Sequence, residues 1–210
     1  MTASRHTVSD VMTRTAIAIA IGRDAPYKEI VALLDRWKVS ALPVLEGEGR
    51  VIGVVSEADL LPKEEFRTEG FRPDESAAAS KAGAVRAGEL MSSPAVTVRP
   101  DATLAEAARI MATRRVKRLP VVNGVGMLEG VVSRSDLLKV FLRTDAEIEE
   151  EIRHSVLGEP AAPVGLEATV EEGVATIRGS LSDRSLVPLV ARAVRAVEGV
   201  VDVRMDLGAP

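Results

Sequence analysis

Gly53-Val54-Val55-Ser56-Glu57-Ala58-Asp59-Leu60-Leu61 returns 77 residues later as Gly130-Val131-Val132-Ser133-Arg134-Ser135-Asp136-Leu137-Leu138, with seven of nine positions identical. The offset holds upstream: Asp24-Ala25 matches Asp101-Ala102, Glu29 matches Glu106, and Leu42-Pro43-Val44 matches Leu119-Pro120-Val121. Nearer the start, Asp10-Val11-Met12-Thr13 answers Glu89-Leu90-Met91-Ser92 at an offset of 79, so one copy carries two extra residues. A period this long is too large for a solenoid and marks two tandem copies of one small domain. Two copies of one surface can face each other, and a cleft between them is a natural ligand site.

Each copy has the same order of elements. Residues 16–21 and 95–98 are short extended runs of strand type. Asp24 and Asp101 follow as expected helix N-caps, with Pro26 in the first turn of the first helix. Ile30, Leu33, Leu34 and Trp37 form one apolar stripe, as do Leu104, Ala107, Ala108 and Met111. Trp37 on that stripe is expected to pack in the core or at a module interface. Leu42-Pro43-Val44-Leu45 and Leu119-Pro120-Val121-Val122 are short strands, followed by Gly-rich turns and a second strand at 51–55 and 127–132. Ser56 and Ser133 then open a final helix. The connector, 63–85, is rich in small and polar residues and is expected to be mobile at least in part.

The last 65 or so residues leave the repeat. Residues 145–157 carry Ile148, Ile152 and Val156 at helical spacing, and Glu171-Glu172-Gly173 can turn a hairpin. A helix starting at Ser185 would place Leu186, Leu189, Val190, Ala193 and Val197 on one face. A strand would then put Val201, Val203, Met205 and Leu207 on one side.

Composition narrows the function classes. Aromatics make up 2% of the chain and cysteine is absent, so the core is aliphatic and thiolate zinc sites are excluded. No apolar run approaches the roughly 18–20 residues of a membrane span, and no secretory signal is visible, so a cytoplasmic protein is expected. The net charge of −4 is uneven: residues 145–210 hold 13 acids against 6 arginines, or −7, leaving +3 for the rest. Neither part has the concentrated basic face of a nucleic-acid-binding domain. His6 and His154 lack metal-ligand spacing, and no nucleophile or catalytic motif stands out, so no metal and no enzyme are expected.

The opening Val11-Met12 and Leu90-Met91, the Leu-Pro-Val strands and the repeated Gly-Val-Val-Ser-x-x-Asp-Leu-Leu resemble the cystathionine-β-synthase-type (CBS) domain, and the pair resembles a Bateman module. Glu172-Gly173-Val174-Ala175-Thr176-Ile177-Arg178-Gly179 and Val197-Glu198-Gly199-Val200-Val201-Asp202-Val203 resemble the BON domain. The resemblance implies an α+β fold of two β-α-β-β-α units at 8–62 and 86–143, packed about a pseudo-two-fold, with a small α/β BON-like domain at 145–210. It implies no required cofactor, a homodimer through the CBS-like pair, and adenine nucleotides (AMP, ADP or ATP) as regulatory ligands. It also places the ligand. One site would use Ala16, Ile17, Ser40, Ala41, Leu42, Pro43, Ser56 and Asp59; the other Ala95, Val96, Arg118, Leu119, Pro120, Ser133 and Asp136.

The Ser-x-x-Asp motif has two readings. As a variant of the helix capping box, serine and aspartate satisfy the first turn with no ligand present. A helix start can also hold phosphate, and an aspartate in its first turn can accept from both hydroxyls of a ribose. The copies differ inside the motif: Glu57 would repel a phosphate, whereas Arg134 would attract one. Arg114, Arg115, Lys117 and Arg118 add charge beside the second copy, or else form a solvated helix end. On this reading the Ser133–Asp136 site is preferred. The expected function is nucleotide sensing, with the BON-like domain as an interaction or anchoring module for an unidentified protein partner. The alternatives are a nucleotide-independent dimerisation adaptor and a stress-related protein that meets lipid through its tail. Membrane contact is not expected, because an acidic tail repels anionic headgroups.

Overall fold

A computed structural model describes residues 6–14, 19–68, 81, 83–159, 163, 165–181 and 183–208, without the side chains of 66–68. The chain divides into two compact units: Thr7–Arg134, which holds most of both copies, and the remainder from Ser135 onward with His6.

In the first unit the copies share one plan. Strand β2 (Ile21–Gly22) runs parallel to β3 (Ala41–Glu46), which turns back into antiparallel β4 (Arg50–Ser56). The second copy repeats the hairpin as β5 (Arg118–Val122) and β6 (Leu128–Ser133). Even the irregularity is repeated, between Val44 and Leu45 and between Val121 and Val122. Of the second expected first strand, only Val98 pairs, bridging to Val121 in parallel.

One helix per copy packs on these strands: Tyr27–Trp37 buries Ile30 and Leu34, and Leu104–Arg114 buries Leu104, Ala107 and Met111. The N-caps lie two residues later than expected, at Pro26 and Thr103 rather than Asp24 and Asp101. Thr103 takes the role because its Oγ1 accepts the Glu106 N–H at 3.2 Å. Of the two places expected for Trp37, the core of this chain is not the one it takes: it is 49% exposed, with the Arg36 guanidinium 5.7 Å from its ring centre. It is the last residue of the helix, before the left-handed cap at Lys38. The expected connector is also built in at both ends, with a helix at Pro62–Thr68 and Ala84 in the core; residues 69–80 and 82 lie outside the described residues.

The copies are not self-contained. The opening of each lies on the other. Strand β1 (Thr13–Arg14) pairs antiparallel with β6, and helix Val8–Val11 before it donates Val8 N–H to the Ala102 carbonyl at 2.9 Å. Reciprocally, Ser92 bridges to Val54, and Ala87 N–H of helix Ala87–Leu90 donates to the Ala25 carbonyl at 2.9 Å. Glu89 caps this second helix by accepting the Val85 and Arg86 N–H groups at 2.8 and 3.2 Å, which holds its carboxyl below the usual glutamate range. The core around Ile30, Leu42, Val44 and Val55 is completed by Ala87 and Leu90 of the other copy. Complete burial of a leucine side chain stabilises by about 2 kcal/mol.

This exchange explains the glycine of the repeated motif. A Cβ on Gly130 would sit 2.4 Å from the Thr13 carbonyl oxygen and 3.0 Å from Met12 Sδ; one on Gly53 would sit 2.5 Å from Met91 Sδ. The exchanged segment crosses the strand where no side chain fits.

The second unit has helix Asp145–Ile152 ending in a wider turn over Arg153–Leu157, then hairpin β7 (Leu166–Glu171) and β8 (Val174–Gly179), helix Val187–Arg195, and β9 (Asp202–Leu207) parallel to β8. Glu172 and Gly173 both take positive φ, 51° and 74°, at the two-residue turn. Of the expected face, Val190 and Val197 are buried and Leu186 and Ala193 half-buried, with Ala191 and Val194 buried beside them; Leu189 alone of that face is exposed, at 64%. The helix begins at Val187, two residues later than expected, after a separate turn at Arg184–Leu186. Among the described residues, no helix is long and apolar enough to cross a membrane.

Gly130→Ala is expected to lower the unfolding free energy by about 1–3 kcal/mol. Gly53→Ala should cost less, because a methionine side chain can shift and a backbone carbonyl cannot. Urea denaturation of the two variants measures the difference.

Candidate functional site

β4 ends at Ser56 and the chain turns directly into the single-turn helix Glu57–Leu60. The Ser56 N–H and hydroxyl both donate to Asp59 Oδ2, at 2.8 and 2.7 Å. The capping chemistry of the motif is therefore present. Asp59 Oδ1 faces the other way: it accepts the Ser92 hydroxyl at 3.3 Å and pairs with the Lys81 ammonium. Asp59 is 9% exposed, the one buried charged residue among the described residues. A carboxylate taken out of water needs such partners.

Beside this carboxylate lies a cavity of about 270 Å³. Ser56, Glu57, Ala58 and Asp59 form one wall. Ser92, Pro94, Ala95 and Val96 form the next, carried there because the opening of the second copy is laid over β4. Ser40 and Ala41 enter from the head of β3, and Lys117 and Arg118, which occupy the corresponding places in the second copy, enter from the head of β5. Arg115 completes this basic side. It terminates its helix with φ 55° and ψ 36°, the left-handed conformation that glycine usually fills. Its N–H donates to the Ala112 carbonyl.

The charge in the cavity is thus mixed. Arg115, Lys117 and Arg118 face it, as do Glu57 and Asp59. A one-turn helix has only a weak dipole, so the basic side chains, more than the helix start, would attract an anion. Apolar surface is supplied by Val54, Ala95 and Val96.

The structure regroups the residues singled out from the sequence. Ser40, Ala41, Ser56 and Asp59 from one expected site and Ala95, Val96 and Arg118 from the other line this single cavity. Leu42 and Leu119 are fully buried in the core, and Pro43 and Pro120 are buried beside them in β3 and β5. Ser133 closes β6, and Asp136 Oδ1 accepts from Lys139 Nζ at 2.7 Å. Arg134 is not among the cavity residues; its guanidinium donates to the Val116 carbonyl at 3.2 Å. Ala16 and Ile17 lie outside the described residues. Sequence reasoning passed over Lys81, whose pairing spans 22 positions with no pattern to announce it. Ser92 had a signal: it follows the repeated methionine, as Thr13 does in the first copy.

Elsewhere, His6 and His154 each pair with a single carboxylate, Glu198 and Glu150. Among the described residues, no group of three or more His, Asp or Glu is placed to hold a metal ion.

Comparison with known proteins places these features in two families. The CBS domain model matches residues 8–63 and 87–143, and the BON domain model matches residues 144–207. An uncharacterised protein of Methanocaldococcus jannaschii is 26% identical over 159 residues, covering 64% of this chain and 90% of its own length. One from Methanopyrus kandleri is 30% identical over 151 residues, covering 72% of this chain and 66% of its own, just short of two thirds. Among solved structures, the Arabidopsis thaliana CBS-pair protein CBSX2 in complex with AMP is similar, with a TM-score of 0.59 and 28% identity over 65% of this chain and 97% of that one.

Removing the buried carboxylate should be costly even without ligand. Asp59→Ala strands the Lys81 ammonium, which is 25% exposed, and releases Ser56 and Ser92. A loss of about 2–4 kcal/mol is expected, read from the urea midpoint.

Proposed function

The chain belongs to the CBS domain family and carries a BON domain behind its CBS pair; from that premise we propose that it is a ligand-sensing regulatory protein that binds an adenine nucleotide. The ligand occupies the cavity beside Asp59. The observation that carries this reading is the assembly, in one cavity, of a buried carboxylate, a basic side and an apolar wall. These are the three chemistries of a nucleotide: a ribose diol for Asp59, a phosphate for Arg115, Lys117 and Arg118, and a base for Ala95, Val96 and Val54. The AMP complex of the similar CBSX2 supports the same ligand class. Binding alone is the chemistry, and the signal is a shift between states of different affinity.

The protein acts as a cytoplasmic homodimer assembled through its CBS pair. The BON unit serves as its interaction or anchoring module. That role is supported by Leu189 and Val201, which residues 144–207 leave exposed.

Millimolar AMP, ADP or ATP is expected to raise the melting temperature; at about 100 times Kd, linkage contributes about 2.7 kcal/mol. Asp59→Asn, which keeps the side-chain shape, should abolish the shift. No shift with any of the three nucleotides overturns the reading. Arg115→Gly separates binding from stability: it should gain about 0.5–1 kcal/mol by relieving the left-handed backbone, yet weaken the nucleotide response. Thermal melts with and without nucleotide give both values.

A further inference from the structure

We propose that Lys81 is an internal competitor for the nucleotide, holding the acceptor that the ribose must take. The inference rests on the nucleotide reading above and adds its regulation. All the acceptor capacity of Asp59 that faces its neighbours is engaged. Oδ2 takes the Ser56 N–H and hydroxyl at 2.8 and 2.7 Å, while Oδ1 takes the Ser92 hydroxyl at 3.3 Å and the Lys81 ammonium. The Ser56 contacts belong to the turn itself and are local. Lys81 is different in kind. It arrives from the connector between the copies, 22 positions away, and is held at Asp59 with its side chain 25% exposed. A diol that engages both carboxylate oxygens competes for Oδ1 with the two donors now on it, the Ser92 hydroxyl at the cavity wall and the Lys81 ammonium, and the charged donor is the stronger competitor.

The lysine pairing of the second copy is local. Asp136 is paired with Lys139, three positions along the same stretch, with the lysine 56% exposed. A local lysine neutralises its neighbour without reporting on anything else. Lys81 instead couples occupancy of the cavity to a residue far outside the motif. Nucleotide binding then releases Lys81, and whatever holds Lys81 on Asp59 weakens nucleotide binding by the same factor.

The free-state population of the docked lysine lowers the apparent affinity in proportion. A lysine docked for about nine-tenths of the time weakens binding about tenfold. Lys81→Met keeps the aliphatic stem and removes the charge. Calorimetry with AMP, ADP and ATP on the intact protein and on Lys81→Met should show tighter binding by the variant, by about three- to tenfold. Amine labelling of the unaltered protein, located by mass spectrometry, should show Lys81 becoming more reactive as nucleotide saturates the site. The labelling decides the matter if the variant fails to fold. Equal affinities in the two proteins, or Lys81 labelling unchanged at nucleotide saturation, overturn the competition and leave nucleotide binding standing. Absence of binding by both folded proteins overturns the nucleotide reading along with it.

Discussion

The crossing of an exchanged backbone over a strand glycine is the constraint on which the first unit depends. At Gly130 the Thr13 carbonyl approaches so closely that no Cβ fits, and at Gly53 the Met91 side chain takes the same space. Both crossings seat an opening segment on the other copy. The second copy's segment then completes a core it did not start, with Ala87 and Leu90 among the first copy's buried residues. The cavity follows from the same geometry. Ser92 to Val96 reach the first motif only because their segment has crossed over.

The cavity itself is governed by electrostatics at short range. A carboxylate as buried as Asp59 is costly unless each oxygen is satisfied. Ser56 supplies two donors through the local turn, and Ser92 and Lys81 supply the rest from a distance. Polar satisfaction in this unit is thus partly borrowed across the chain. Contacts of that kind stabilise the free protein and also stand in the way of a ligand that wants the same atoms.

Much of this was legible in the residues. The 77-residue repeat, the helix stripes and the Gly-rich turns announced two α+β units, and Glu172-Gly173 announced the hairpin of the last domain. The capping role of Ser56 and Asp59 followed from their spacing alone. The exchange was not read, although its mark was present: a glycine in the middle of a strand pattern, repeated in both copies, with no turn to require it. Without it, each site was assembled from a single copy, whereas Asp59 meets Ala95, Val96 and Arg118 across the repeat. Trp37 sat on an apolar stripe but fell at the helix end, where periodicity no longer says which side is covered. Lys81 had no local pattern at all, since an ion pair over 22 positions is a property of the folded chain.

Reciprocal exchange also bears on the origin and independence of the repeat. A lone copy lacks the segment that fills its own groove, and a second identical chain could supply it with the same contacts. The tandem protein is in this sense a domain-swapped dimer joined end to end. Its two halves are woven together by β1 on β6 and by Ser92 on Val54, so the covalent link between them is not what keeps them paired. What selection must keep in that link is what the fold uses of it, Ala84 in the core and Lys81 on Asp59.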